Sequence, residues 1–199
     1  MEKGELFFYI ILFFILGVSS YIYYQRNDFQ LKCIISNVDG NKYCVRDREK
    51  IKDAVNLLAT VVSKMEKFID ILNDKYPKDP RVQKLVKNFN PKRVNETLPT
   101  STYTAYSENK GEKTAFCLNK LSKEDNDNLI DEHTLTFVAL HELSHDMSTQ
   151  IGHKSEFWEN FQFLLEQAKE AGIHQPKDYK ENPQQYCGMT IHDNPYYDL

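Results

Sequence analysis

His141, Glu142, Leu143, Ser144 and His145 form a His-Glu-x-x-His run, and a further histidine, His153, follows Gly152. Side chains four residues apart lie on one face of a helix, so His141 and His145 can hold one metal ion together. Glu142 sits one residue round from that face, where its carboxylate reaches a metal-bound water without binding the metal. The chemistry open to such a group is metal-assisted hydrolysis of a peptide bond. Zinc lowers the pKa of its water towards ~7, and Glu142 accepts the proton as that water attacks a peptide carbonyl. Glu142 then passes the proton to the leaving nitrogen.

A catalytic zinc site needs three protein ligands and one open position. Were the helix to continue, His153 would lie about 12 Å further along its axis, whereas zinc–nitrogen bonds are about 2 Å. The chain must therefore turn, and Gly152 can take the left-handed conformation that ends a helix. His153 on the return path is the expected third ligand. Glu156, Glu159 and Glu166 compete for that place, Glu166 from near the solvent side of the next helix. His133, His174 and His192 read as ordinary polar residues. Tyr103, Tyr106, Tyr186 and His192 are candidate donors to an oxyanion, and the sequence leaves that choice open.

The elements that must position these residues follow from periodicity. Residues 31–45 read as two short strands around the turn pair Asp39-Gly40. Residues 47–73 carry Ile51, Val55, Leu58, Val62, Met65, Ile69 and Leu72 at helical spacing, with Pro77 beyond the end. A shorter helix is expected at 81–89, a loop at 91–101, and a second hairpin from strands 102–107 and 113–118. The edge of strand 113–118 could bind substrate by main-chain pairing. Residues 131–150 are apolar nearly all round, which places the metal motif on a helix running through the middle of the domain. Ser155 can cap the next helix, whose stripe is Phe157, Phe161, Leu164, Leu165 and Ala168. The tail, 177–199, reads as irregular structure.

Length allows one domain after an N-terminal segment, and the net charge is −4 over 199 residues. Such a balance argues against a chain whose main task is to coat nucleic acid. A local basic run of Lys78, Arg81, Lys84, Lys87, Lys92 and Arg93 keeps a nucleic-acid partner open as a secondary reading. Residues 6–24 are almost continuously apolar or aromatic, about the length that crosses a hydrocarbon core. We therefore expect residues 1–25 to be an uncleaved membrane anchor, with a cleaved signal peptide as the rival, and residues 26–199 to be the catalytic domain. Cys33 and Cys44 flank a hairpin and can bridge, Cys117 and Cys187 would complete an even set, and buried free thiols are the alternative. Asn95-Glu96-Thr97 is a glycosylation sequon.

The run His141 to His145, then Ile151-Gly152-His153, then Glu156-Phe157-Trp158 resembles the SprT/Spartan and WLM group of small zincins, and resembles uncharacterised proteins of large DNA viruses. The resemblance covers residues 135–172. It implies His141, His145 and His153 as zinc ligands and Glu142 as general base, with an aromatic residue on the helix after the third histidine. Cys187-Gly188-Met189 has some likeness to a metzincin Met-turn. The expected architecture is α+β: a small zincin-like domain with a buried active-site helix, short antiparallel hairpins and packing helices, behind a transmembrane helix. The expected function is a membrane-anchored zinc endopeptidase acting on protein or peptide substrates as a monomer. A DNA-associated protease of the Spartan kind and a non-catalytic zinc module are the alternatives.

Overall fold

The computed structural model describes residues 3–24, 31–122 and 128–198. The boundary expected between residues 25 and 26 lies outside the described residues. Helix α1 (Lys3–Tyr24) is 22 residues long, and its side chains from Phe7 to Tyr23 include many exposed large apolar groups. Among the described residues, however, no helix is long and apolar enough to cross a membrane. Glu5 lies in the first turn of α1, and Gly17, Ser19 and Ser20 interrupt its apolar run. The expected transmembrane anchor and membrane location are corrected accordingly.

Strands β1 (Leu31–Ile35) and β2 (Lys42–Arg46) pair antiparallel with Cys33 opposite Cys44, and a disulfide joins the two. Gly40 takes a φ of +73° in the connecting turn, and the Asp39 carboxylate accepts from the Asn41 amide and the Tyr43 hydroxyl. Helix α2 (Ile51–Lys75) follows, and the expected apolar stripe from Val55 to Leu72 is its buried face. Helix α3 (Pro80–Asn88) starts where Asp79 accepts from the Arg81 amide and Pro80 pre-sets the first turn.

The segment expected as a loop at 91–101 contains strand β3 (Val94–Glu96). It pairs parallel with β5 (Lys113–Phe116), whose other side pairs antiparallel with β4 (Ala105–Glu108). The sheet order is β3-β5-β4, so β5 is central and β4 is an edge. The three residues of β3 are too few to show alternation, and an ion cluster rather than a sequence pattern holds them. Glu96 accepts from the Arg46 amide and pairs with the Arg46 and Arg48 guanidiniums, while Arg46 also donates to the carbonyls of Thr97 and Leu98. The sequon lies in this strand, with Glu96 and Thr97 buried.

Helix α4 (Glu132–Met147) buries twelve of its sixteen residues, as its all-round apolar character requires. It packs against α2, α3, α5, β4 and β5. Asp131 caps its start by accepting from the amide and hydroxyl of Thr134. Helix α5 (Ser155–Glu170) lies against it with Phe157, Phe161, Leu164, Leu165 and Ala168 inward, the expected stripe. Ser155 is the first helical residue and not the cap, which is Lys154 without a side-chain bond. The tail is more ordered than its composition suggests: β6 (Gln184–Tyr186) and β7 (Met189–Ile191) form a hairpin, and a Cys117–Cys187 disulfide fastens it to the end of β5.

Candidate metal centre

Helix α4 presents His141 and His145 one turn apart on the side facing α5, with ring centroids separated by 5.1 Å. The helix ends at Met147, earlier than expected, and Ser148 caps it in an extended conformation. Gly152 therefore does not end the helix. It turns the following loop, with a φ of +79°, just before His153. The return brings the His153 ring to 4.9 Å from both other rings, and its Nε2 to 3.0 Å from Nε2 of His141. One ligand atom from each of the three histidines lies within 4.8 Å of the others. A small cation bound between them is compatible with that spacing after minor side-chain rotation.

The loop from Ser148 to Lys154 has little apolar content, and polar bonds hold it. Glu156 accepts from the amides of Thr149 and Gln150 at 2.7 and 3.0 Å. Asn160 donates to the Ser148 hydroxyl, and Lys110 donates to the carbonyls of Ser148 and Gln150. Glu156 is thereby occupied in shaping the loop, Glu159 and Glu166 are exposed on α5, and none of the three belongs to the ligand group. Phe157 forms a floor under all three imidazoles, at 4.8, 4.4 and 4.5 Å from His141, His145 and His153. Trp158 stands beside His153 at 5.7 Å and is half exposed, so the cluster opens to solvent on that side.

Electrostatics favour a ligand role. Burial, reinforced by the other two rings, lowers the pKa of His141 to about 3. His145 is lowered to about 4, chiefly by burial and then by His153 and Lys110, and burial also lowers His153. Neutral imidazoles keep the lone pairs that a metal needs. Glu142 is buried and its pKa is raised to about 8, first by desolvation and then by the charge of Asp146, while the backbone amide of Ser107 opposes the shift. A bound cation would lower that value and favour the carboxylate. Asp146, one helical turn on, is raised to about 7 by burial against a hydrogen bond from Ser107 and the charge of Lys110.

Several sequence-level candidates fall elsewhere. Tyr186 is buried and donates to the Thr104 carbonyl at 3.2 Å; burial first, and then the charge of Glu142, push its pKa up. Tyr103 is exposed and lies tilted against Tyr106, and His192 contacts the Thr190 carbonyl. Met189 lies half exposed against Thr104, so the tail hairpin has no Met-turn role under the histidines. The strand 113–118 is no edge, because β3 and β4 flank it; of the two edge strands, β4 is the one packed against α4. In the basic run, Arg81 pairs with Asp79 and Arg93 pairs with Glu112. That leaves less unpaired charge for an anionic partner than the sequence count suggests.

Asp146, Ser107 and Lys110 are the contributors that sequence reasoning missed. The spacing of Asp146 from Glu142 was visible, but its partner Ser107 lies 39 residues away, and Lys110 reaches the His145 carbonyl from 35 residues away. No family model matches the chain, and no solved structure matches it. The chain is similar to an uncharacterised protein of Acanthamoeba polyphaga mimivirus, with 24% identity over 163 residues that span 80% of this chain and 81% of that protein.

Proposed function

We propose that this chain is a metal-dependent endopeptidase that hydrolyses peptide bonds in protein substrates, with zinc as its metal. The observation that carries the proposal is the convergence of His141, His145 and His153 beside a buried Glu142 on the central helix. Three neutral imidazole nitrogens are a donor set suited to zinc. Among the described residues the ligand group has three members and no fourth, which suits an open catalytic site better than a closed structural one. The local likeness to SprT/Spartan and WLM zincins points the same way.

A divalent ion held by the three histidines supplies Lewis acidity. The remaining work falls to the chain. Glu142 takes a proton from the attacking water at its carboxylate and returns it to the leaving nitrogen. The Thr104 carbonyl accepts from the Cys117 amide, so strand alternation turns the amide and carbonyl of Ala105 and the carbonyl of Ser107 to the outer edge, away from β5. This outer edge can receive an extended substrate by main-chain pairing, which recognises backbone more than side chains.

The test compares wild type with Glu142→Gln by metal analysis and by cleavage of dye-quenched casein. We expect about one zinc per chain in both proteins, and loss of cleavage by at least about a hundredfold in the variant. Full proteolysis by a zinc-loaded Glu142→Gln protein would place the chemistry elsewhere.

A further inference from the structure

Asp146 is fully buried, yet among the described residues no cation lies in hydrogen-bonded contact with it. One carboxylate oxygen accepts from the Ser107 hydroxyl, and the other has no hydrogen-bond partner. Burying a carboxylate this way costs stability, and a fold that needed only filler there would be better served by a leucine. The arrangement around it is specific. The Ser107 hydroxyl also accepts from the Gly111 amide at 2.9 Å, and Asn88 donates to the Asp146 carbonyl at 2.9 Å. Gly111 has a φ of +91°, and a Cβ there would stand 2.4 Å from the Asn88 carbonyl oxygen and 3.0 Å from the bare Asp146 oxygen. The turn from Asn109 to Gly111 is left-handed at all three residues, and its Lys110 reaches over to the carbonyls of the loop that carries His153.

One tight turn thus touches three parts of the candidate centre: the helix with His141, Glu142 and His145, the edge strand β4, and the loop with His153. β4 packs on α4, strand alternation turns the Ser107 amide away from β5, and that amide opposes the rise in the Glu142 pKa, while the Ser107 hydroxyl is held by Asp146. We propose that Asp146 is a positioning residue: through Ser107 it fixes the edge strand β4 over Glu142, so that the Ser107 amide orients the carboxylate that handles the proton. This inference rests on the endopeptidase reading for its catalytic consequence, but its structural half stands without it. Asp146 touches neither metal nor substrate in this role. It acts through β4.

The experiment uses the full chain with Asp146→Leu, Asp146→Asn and Ser107→Ala. Asparagine keeps an acceptor for the Ser107 hydroxyl, leucine keeps only the shape, and alanine at 107 removes the hydroxyl itself. Two readouts are taken: hydrogen exchange of the Ser107 amide in zinc-free protein, and kcat and KM on dye-quenched casein in zinc-loaded protein. Asp146→Leu and Ser107→Ala should each speed Ser107 exchange by at least about tenfold relative to unaltered core amides. They should also lower kcat by about tenfold to a hundredfold, with KM held within about threefold. Asp146→Asn should recover most of both, and Asp146→Leu should melt no lower than wild type, which a merely structural carboxylate would not allow. If Asp146→Leu does not fold, Ser107→Ala carries the same comparison from the other partner. Unchanged Ser107 exchange in these variants overturns the proposal, as does a kcat loss that Asp146→Asn shares in full. A wild-type protein without proteolysis would refute the endopeptidase reading, while the exchange comparison would still decide the role of Asp146 on β4.

Discussion

Phe157 shows how far single residues reach in this centre. Its ring lies within 5 Å of all three imidazoles, so it sets their tilt without offering a ligand atom. Groups that orient ligands from behind are worth about tenfold to a hundredfold in metal affinity. Phe157→Ala should therefore weaken zinc binding by about that factor, measured by competition with a chromogenic chelator, while His141, His145 and His153 stay in place. An unaltered affinity would mean that the histidines hold their geometry alone. The grouping of the three histidines was legible because helical spacing and a single turn bring them together. Asp146 and Ser107 were not, since a bond between residues 39 positions apart leaves no local pattern.

At the scale of elements, α2 and α5 were readable because each repeats a burial pattern over four or more turns, and α4 because it is apolar nearly all round. β3 was not, because three residues beside Pro91 carry no period, and it is fixed by a buried charge cluster instead. Glu96 there is shared by Arg46 and Arg48, whose side chains are at most 2% exposed. Removing the shared partner would strand two buried cations, a change that typically costs about 3–5 kcal/mol. Glu96→Ala should lose stability of that order in urea denaturation, and should loosen β2 from β3 before it affects α4. A loss under about 1 kcal/mol would show that water reaches the guanidiniums in the variant. The hairpins were visible from turn residues, but which strand is the edge was not: order in a sheet is a tertiary fact, and β5 became central only through β3.

For the whole molecule, acid sensitivity follows from a second pair of histidines far from the metal residues. His174, where the chain leaves α5, stacks on His133 near the start of α4 with ring centroids 4.3 Å apart. Burial, then the charges of His133, Lys64 and Lys177, lower the pKa of His174 to about 3. Its folded value lies below the ordinary value of 6.5, so the unfolded chain binds the extra proton. The stability from keeping this ring neutral is fully present above about pH 6.5 and is lost as pH falls towards 3, with a limiting slope of about 1.4 kcal/mol per pH unit. Replacing His174 with Phe, which suits its neighbour Phe137, should flatten that slope between pH 6 and 4 in thermal or urea melts. A slope equal to wild type would assign the acid lability to other groups.

All four cysteines are paired, and the second bridge closes a loop of 70 residues. His141, Glu142, His145 and His153 all lie between Cys117 and Cys187. A peptidase that cut its own chain within that loop would leave two fragments still joined through sulfur. On a gel without reductant such a nicked molecule would migrate as one band, and only thiol treatment would separate the pieces. Self-processing of this protein therefore has to be looked for under reducing conditions, or it will pass for an intact chain.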